Sequence, residues 1–251
     1  EGFGFTERTG IDMLGEASNA GLYHTEAQLA KEESAMATSS FGQTFKVTPI
    51  QMITAFCAVA NGGKLMTPYV VGQVLDADGN VISTTKPAVK RQVISASTSQ
   101  RVSKMLADAV NGGGSKNAYV AGYRVAGKTG TSEKRDMQGN QVVASFAGFA
   151  PADDPEIAVL VLLDQPQSRI RYGGTISAPV AQKIFDAVLP YLGVEPAYTA
   201  EELAKLSRTT LNTVGKEKAA ALTQLSGTGL KAIVVGEGAT VVRQCPEAGQ
   251  S

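Results

Sequence analysis

Val125-Ala126-Gly127-Lys128-Thr129-Gly130-Thr131-Ser132 gathers a cation, flexible glycine and three hydroxyls into one short segment near the middle of a 251-residue chain. Two readings compete for it. Gly122-Tyr123-Arg124-Val125-Ala126-Gly127-Lys128-Thr129 fits the phosphate-loop pattern G-x-x-x-x-G-K-[ST], while Lys128-Thr129-Gly130 also fits a strand that lines an acyl-transfer site. Whichever holds decides the fold around it.

A phosphate loop needs a buried strand before it and a helix starting at the Gly-Lys-Thr, so that backbone N–H groups and the helix dipole face the phosphates. Here the loop positions would be Tyr123, Arg124, Val125 and Ala126, which favour extended structure, and Gly130 is a poor start for a helix. Asp164, after an apolar run, is the residue that keeps a magnesium site in view. As a strand the same residues make chemical sense. Lys128 projects a positive charge toward a carboxylate substrate and can assist proton movement near a nucleophile. Thr129 offers a hydroxyl to that carboxylate, and Gly130 clears a side chain where substrate backbone must lie close. The N–H of Thr131 can then face a carbonyl oxygen that becomes anionic in the transition state.

Outward from the motif, residues 119–132, 142–150 and 157–163 are β-prone with short links, which predicts an antiparallel meander, because parallel neighbours need a long crossover. An amphipathic helix should follow from Ser177-Ala178-Pro179, with Val180, Ile184, Phe185, Val188 and Leu189 on one face. Upstream, Thr48-Pro49-Ile50-Gln51 carries an N-cap, a first-turn proline and a capping-box Gln, predicting a helix that stops at Asn61-Gly62-Gly63. A hairpin is expected from 69–75 and 81–82 about Asp76 to Asn80, and a second helix over 97–110, capped by Ser97 with Val102, Met105, Leu106, Ala109 and Val110 inward. Residues 1–47 read as loops with a short helix near Thr25. Beyond Val194 the texture turns polar and linker-like over 195–208. A small helix-plus-hairpin unit then spans 209–251, with a helix over 216–225 and strands over 229–235 and 239–244.

Lys plus Arg equals Asp plus Glu at 23 each, so no global field favours nucleic acid or an anionic membrane. Hydrophobic residues at 43% and charged residues at 18% are those of a globular chain. The apolar run 157–163 is of strand length, well short of the roughly 20 residues of a membrane helix. Cys57 and Cys245 have no metal-ligand spacing and read as free thiols, and His24 stands without an acid partner in sequence. No metal or cofactor is expected.

The motif has company in a set order. Gly2-Phe3-Gly4, Thr9-Gly10-Ile11-Asp12, Ser40-Phe41-Gly42-Gln43, Val47-Thr48-Pro49-Ile50-Gln51, Ala60-Asn61-Gly62-Gly63-Lys64-Leu65, Gly122 to Thr131, and Ser145-Phe146-Ala147-Gly148-Phe149-Ala150-Pro151 resemble the transpeptidase domain of class B penicillin-binding proteins. The tail, with Gly229-Leu230, Val234-Val235-Gly236-Glu237-Gly238, Val241-Val242-Arg243-Gln244 and Pro246 to Gly249, resembles a PASTA module. The resemblance implies an α/β (α+β) fold, an antiparallel sheet flanked by helices. It divides the chain into an incomplete transpeptidase domain over 1–194, a linker over 195–208 and a PASTA domain over 209–251.

It further implies peptidoglycan D,D-transpeptidation through a serine acyl-enzyme, with stem peptides ending in D-Ala-D-Ala as substrates, β-lactams as acylating ligands, and division or sporulation proteins as partners. Neither nucleic acid nor membrane contact is expected of this piece. By the resemblance Lys128 and Thr131 are catalytic and Thr129 and Gly130 substrate-binding. The protein would work on the extracytoplasmic face of the cell membrane, anchored by a segment outside this chain. The other readings are a D,D-carboxypeptidase, a β-lactam-sensing acyl-transfer domain, or a non-catalytic peptidoglycan-binding fragment. The family's Ser-x-x-Lys and Ser-x-Asn motifs are expected upstream of Glu1, so the piece alone should be inactive. Ser83-Thr84-Thr85-Lys86 and Ser115-Lys116-Asn117 mimic them in string but not in context.

Overall fold

In the computed structural model, which describes residues 2–134, 141–206, 211–227, 232–245 and 247–248, the motif is part of a strand. That strand, β5 (Ala126–Glu133), runs without a break through Lys128, Thr129 and Gly130, so the helix a phosphate loop requires is not there. It pairs antiparallel with β6 (Val142–Ala150), which pairs antiparallel with β7 (Ile157–Asp164), giving the sheet order β5-β6-β7. The meander expected from the short links is therefore present. Its first strand begins at Ala126 rather than at 119, because residues 120–123 form a turn closed by a Val120–Tyr123 bridge.

The chain divides into a unit Glu1–Pro196 and a unit Ala197–Ser251. In the first, α3 (Pro49–Ala60) begins as its sequence dictates: Thr48 Oγ1 accepts the Gln51 N–H at 3.2 Å, and Gln51 Oε1 accepts the Thr48 N–H at 2.8 Å. The same glutamine has a second task that capping alone does not reveal. Its Nε2 donates to Glu7 O at 2.7 Å and to Asn19 Oδ1 at 3.1 Å, tying the N-terminal loops to the helix. Asn19 Nδ2 in turn donates to Phe5 O at 2.7 Å and Lys46 O at 3.0 Å. Buried polar groups satisfied in this way let a region poor in regular structure hold its place. Two short helices lie there, α1 (Glu26–Leu29) and α2 (Glu33–Ser39), where the sequence suggested one.

Four further strands make two small antiparallel pairs. β1 (Lys64–Thr67) pairs with β4 (Ala88–Gln92), and β2 (Gln73–Leu75) with β3 (Val81–Thr84). The expected hairpin is the second pair; β1 and β4 carry no local signal, because each is short and joins a distant partner. Residues 69–72 lie outside the ladder. Asp12 holds that segment by accepting the N–H groups of Val70 and Val71 at 2.8 and 2.9 Å, and these donors keep its carboxyl below the usual carboxylate range.

Helix α4 (Ala96–Asn111) is capped by Ser95, whose Oγ accepts the Thr98 N–H at 3.1 Å, and not by Ser97. Its inward stripe is Ser99, Ser103, Ala107 and Val110, while Met105 is exposed. The sequence reading followed the large apolar side chains, whereas the helix lies close against its neighbours on small ones, with Ser99 Oγ spent on Val59 O at 2.6 Å. A short helix α5 (Gly173–Ile176) precedes α6 (Ala178–Tyr191), which buries Ala178, Ala181, Phe185 and Leu189 and leaves Val180 exposed.

Alternation along the sheet creates two cores. Val125, Phe146, Val159 and Val161 pack with Ala178, Ala181, Phe185 and Leu189 on one face, and Ala126 and Phe149 pack with Ala107 and Phe56 on the other. Phe146 explains two glycines: a Cβ on Gly127 or Gly148 would collide with its ring, so the ring lies across both strands. Phe146→Ala is expected to lower unfolding stability by about 3–5 kcal/mol, as large-to-small core changes do. Denaturant unfolding would read this, and a loss under about 1 kcal/mol would show that the ring is not central to the core.

In the second unit, α7 (Ala200–Leu206) occupies part of the stretch read as linker, and α8 (Lys218–Ser226) is the expected helix. The terminal hairpin differs from expectation. Residues 239–241 bond back to 215–218, with Gly215 N to Val241 O at 2.8 Å and Lys218 N to Ala239 O at 2.8 Å. Gln244 Oε1 accepts the Thr213 N–H at 2.7 Å on the same side. Residues 232–235 form no strand, and Ile233 and Val235 are exposed. Ala239 O and both backbone groups of Val241 bond to residues 215–218, so these segments pair with each other in place of the expected hairpin. Gly229, Leu230, Pro246 and Gly249 of the tail pattern, and the turn Gln138-Gly139-Asn140, lie outside the described residues.

Candidate active-site strand

The β5–β6 register sets Lys128 opposite Ala147, Thr129 opposite Phe146, Gly130 opposite Ser145 and Thr131 opposite Ala144. β5 has no strand on its other side among the described residues, so it is an edge. In an antiparallel ladder the backbone groups of alternate residues face alternate sides. Arg124 O accepts from Ala152 N and Lys134 N donates to Gln141 O, so even-numbered residues face the second strand. Thr129 confirms the phase: its N–H donates to Ser115 Oγ at 3.3 Å, away from β6. By the same alternation the Thr131 N–H is aimed at the open edge.

Side chains alternate too, placing Lys128 and Gly130 on the face of Ala126 and Phe149, and Thr129 and Thr131 on the face of Phe146. A ligand that touches both Lys128 and Thr129 must therefore lie across the edge. Lys128 is exposed, and its Nζ is folded onto that edge, donating to Thr129 O at 2.9 Å. None of the ion pairs among the described residues involves it. The cation is thus available to an incoming anion. Gly130 has its own reason to lack a side chain: a Cβ there would lie 2.6 Å from Ser145 Oγ.

The structure adds residues that sequence reading left aside. Thr131 Oγ1 accepts the Gly173 N–H at 3.1 Å, which fastens the first turn of α5 to the strand. Gly173 fits because it is glycine; a Cβ would collide with Gly130 O and Ser145 O. Its signal was the pair Gly173-Gly174 between a strand and a helix, but the approach it permits is a tertiary contact. Ser115 is buried at 1% exposure and spent on Thr129, and Asn117 Nδ2 donates to Gly174 O at 2.7 Å. Ser83 lies on exposed strand β3 and Lys86 beyond its end, so that string is not on a helix. The four predicted site residues, Lys128 to Thr131, stand together, and neither mimic string brings a Ser-Lys pair to them.

Elsewhere, a cleft of about 950 Å³ opens between the end of α3, α4 and the β6–β7 turn, with Cys57, Ser103, Arg124 and Glu156 in its lining. Burial pushes the Cys57 thiol pKa up, so it is a poor nucleophile. Cys57 and Cys245 are free, as their spacing suggested. No helix of the described residues is long and apolar enough to cross a membrane.

Comparison with known proteins places this geometry. Residues 1–186 match the penicillin binding protein transpeptidase domain. Stage V sporulation protein D of Bacillus subtilis is 38% identical over 259 aligned positions, covering 98% of this chain and 39% of that protein. The peptidoglycan D,D-transpeptidase FtsI of Escherichia coli is 33% identical, with 77% of this chain and 31% of that protein aligned. Penicillin binding protein 3 of Mycobacterium tuberculosis, solved in complex with ampicillin, superposes with a TM-score of 0.70 at 29% identity, over 79% of this chain and 46% of that one. The chain thus spans less than half the length of these relatives. With its antiparallel sheet, its helices on both faces and its Lys-Thr-Gly edge strand, it belongs to the penicillin-binding protein transpeptidase family of the class B type.

Proposed function

We propose that the complete protein is a peptidoglycan D,D-transpeptidase: a serine outside these 251 residues attacks the D-Ala-D-Ala amide of a stem peptide, the terminal D-Ala leaves with the proton its amine needs, and the resulting acyl ester is transferred to a second amine, which regenerates the serine. β-Lactams acylate the same serine. The observation that carries this reading is the edge of β5, which no strand covers among the described residues and where the Lys128 ammonium rests on Thr129 O. Lys128 and Thr129 hold the terminal carboxylate of the substrate, Gly130 admits its backbone, and the Thr131 N–H receives the developing oxyanion. Residues 209–251 act as a PASTA module, a reading supported by the 98% coverage against the sporulation protein and the 77% coverage against FtsI. The similarity to the sporulation protein also supports a sporulation role rather than one in division. The site works on the extracytoplasmic side, held to the membrane by a segment outside this chain.

Labelled penicillin tests the reading. The complete protein should take up one label on a serine outside residues 1–251, and this fragment should take up none. An adduct mapped to Ser83 or Ser115, or a complete protein that stays unlabelled, would sink it.

A further inference from the structure

Three hydrogen bonds join three very short pieces of chain into a closed ring at the motif. Ser115 Oγ accepts the Thr129 N–H at 3.3 Å, Thr131 Oγ1 accepts the Gly173 N–H at 3.1 Å, and Asn117 Nδ2 donates to Gly174 O at 2.7 Å. The covalent links of the ring are residues 115–117, 129–131 and 173–174. Its anchor is the end of α4, where the Ser115 N–H donates to Ala109 O at 3.1 Å. The pieces touch as well as bond: a Cβ on Gly174 would lie 3.1 Å from Gly114 O and 3.7 Å from Thr129 Cγ2.

Within Lys128–Thr131, the edge-directed amides are those of Thr129 and Thr131. Ser115 takes up the first and leaves the second to face the open edge. A slide or tilt of β5 along its axis breaks at least one bond of the ring, so the ring fixes where that amide sits. The catalytic demand on such a donor is positional, since an oxyanion donor works only at hydrogen-bonding distance from the oxygen in the transition state.

We propose that Ser115 and Asn117 act together as positioning residues for acyl transfer, holding β5 so that the Thr131 N–H is presented at a fixed place on its edge; this rests on the transpeptidase reading above. The Ser-x-Asn string at 115–117 is thus neither a proton relay nor idle surface. Neither side chain touches the substrate. Both act through the strand.

The test uses the complete protein and penicillin, with acylation resolved into the dissociation constant of the non-covalent complex and the acylation rate constant. Ser115→Ala and Asn117→Ala should each lower the rate constant about three- to tenfold, the worth of one hydrogen bond. The dissociation constant should stay within about twofold. Because one ring is broken either way, the double variant should lose no more than the worse single variant. Lys116→Ala, exposed and outside the ring, is the control and should acylate normally. Asn117 is also exposed, so its variant folds even if loss of the buried Ser115 hydroxyl proves too costly. A rate constant for Asn117→Ala within about twofold of the parent overturns the inference, as do losses that multiply in the double variant. If the parent and Lys116→Ala are themselves not acylated, the transpeptidase reading fails and this inference with it.

Discussion

Thr131→Pro in the complete protein is expected to slow acylation by penicillin about 100- to 1,000-fold, while Thr131→Val slows it by no more than about tenfold. The two variants separate the backbone donor from the hydroxyl. Both lose Oγ1, and with it the acceptor of the Gly173 N–H at 3.1 Å. Proline alone also loses the N–H. An edge strand tolerates this, because the missing donor faces away from β6 and the ladder stays complete. An unchanged unfolding midpoint would show that the strand survives. If the two variants acylate at the same rate, the Thr131 amide has no part in stabilising the transition state.

Lys128→Ala is the second large effect, with acylation reduced by about 100-fold or more. Lys128 is exposed and forms no ion pair among the described residues, so removing it disturbs no packing and unfolding should be almost unchanged. Its Nζ already sits at the edge on Thr129 O, 2.9 Å away, where a carboxylate can displace that carbonyl and make a charge-assisted bond. Lys128→Arg separates the two uses of the cation. It keeps the charge that binds a carboxylate but gives no proton near neutral pH. Recovery of binding without recovery of rate would assign proton movement to the lysine. Near-normal acylation by Lys128→Ala would remove it from the site.

Much of this arrangement is legible from residue order. Tyr123, Arg124, Val125 and Ala126 favour extended structure, and Gly130 is a poor start for a helix, so the Lys-Thr-Gly string reads as a strand from residue type alone. The links from β5 through β7 are too short for crossovers, which makes the sheet antiparallel. Thr48-Pro49-Ile50-Gln51 starts α3 because every group its cap needs lies within four residues. The departures from expectation at α4, β1 and β4 share one cause. Ser97 competes locally with Ser95 for the α4 cap, and Met105 is apolar yet exposed, because neighbours from elsewhere in the chain decide which side of α4 is inward. β1 and β4 pair across more than 20 residues with no local mark of the partnership.

Residue order is enough to place the chemistry on offer at residues 128–131, the strand that carries it and the antiparallel sheet around it. Each of these follows from backbone preference and side-chain type within a few positions. Tertiary structure alone decided which amide of that strand faces outward, that Ser115 occupies the Thr129 N–H, and that Gly173 rests on Gly130 and Ser145. Those facts depend on segments 14 and 42 residues from their partners in the chain. A contact over such a separation is fixed by how two cores close on a sheet, and no local pattern of residues encodes it.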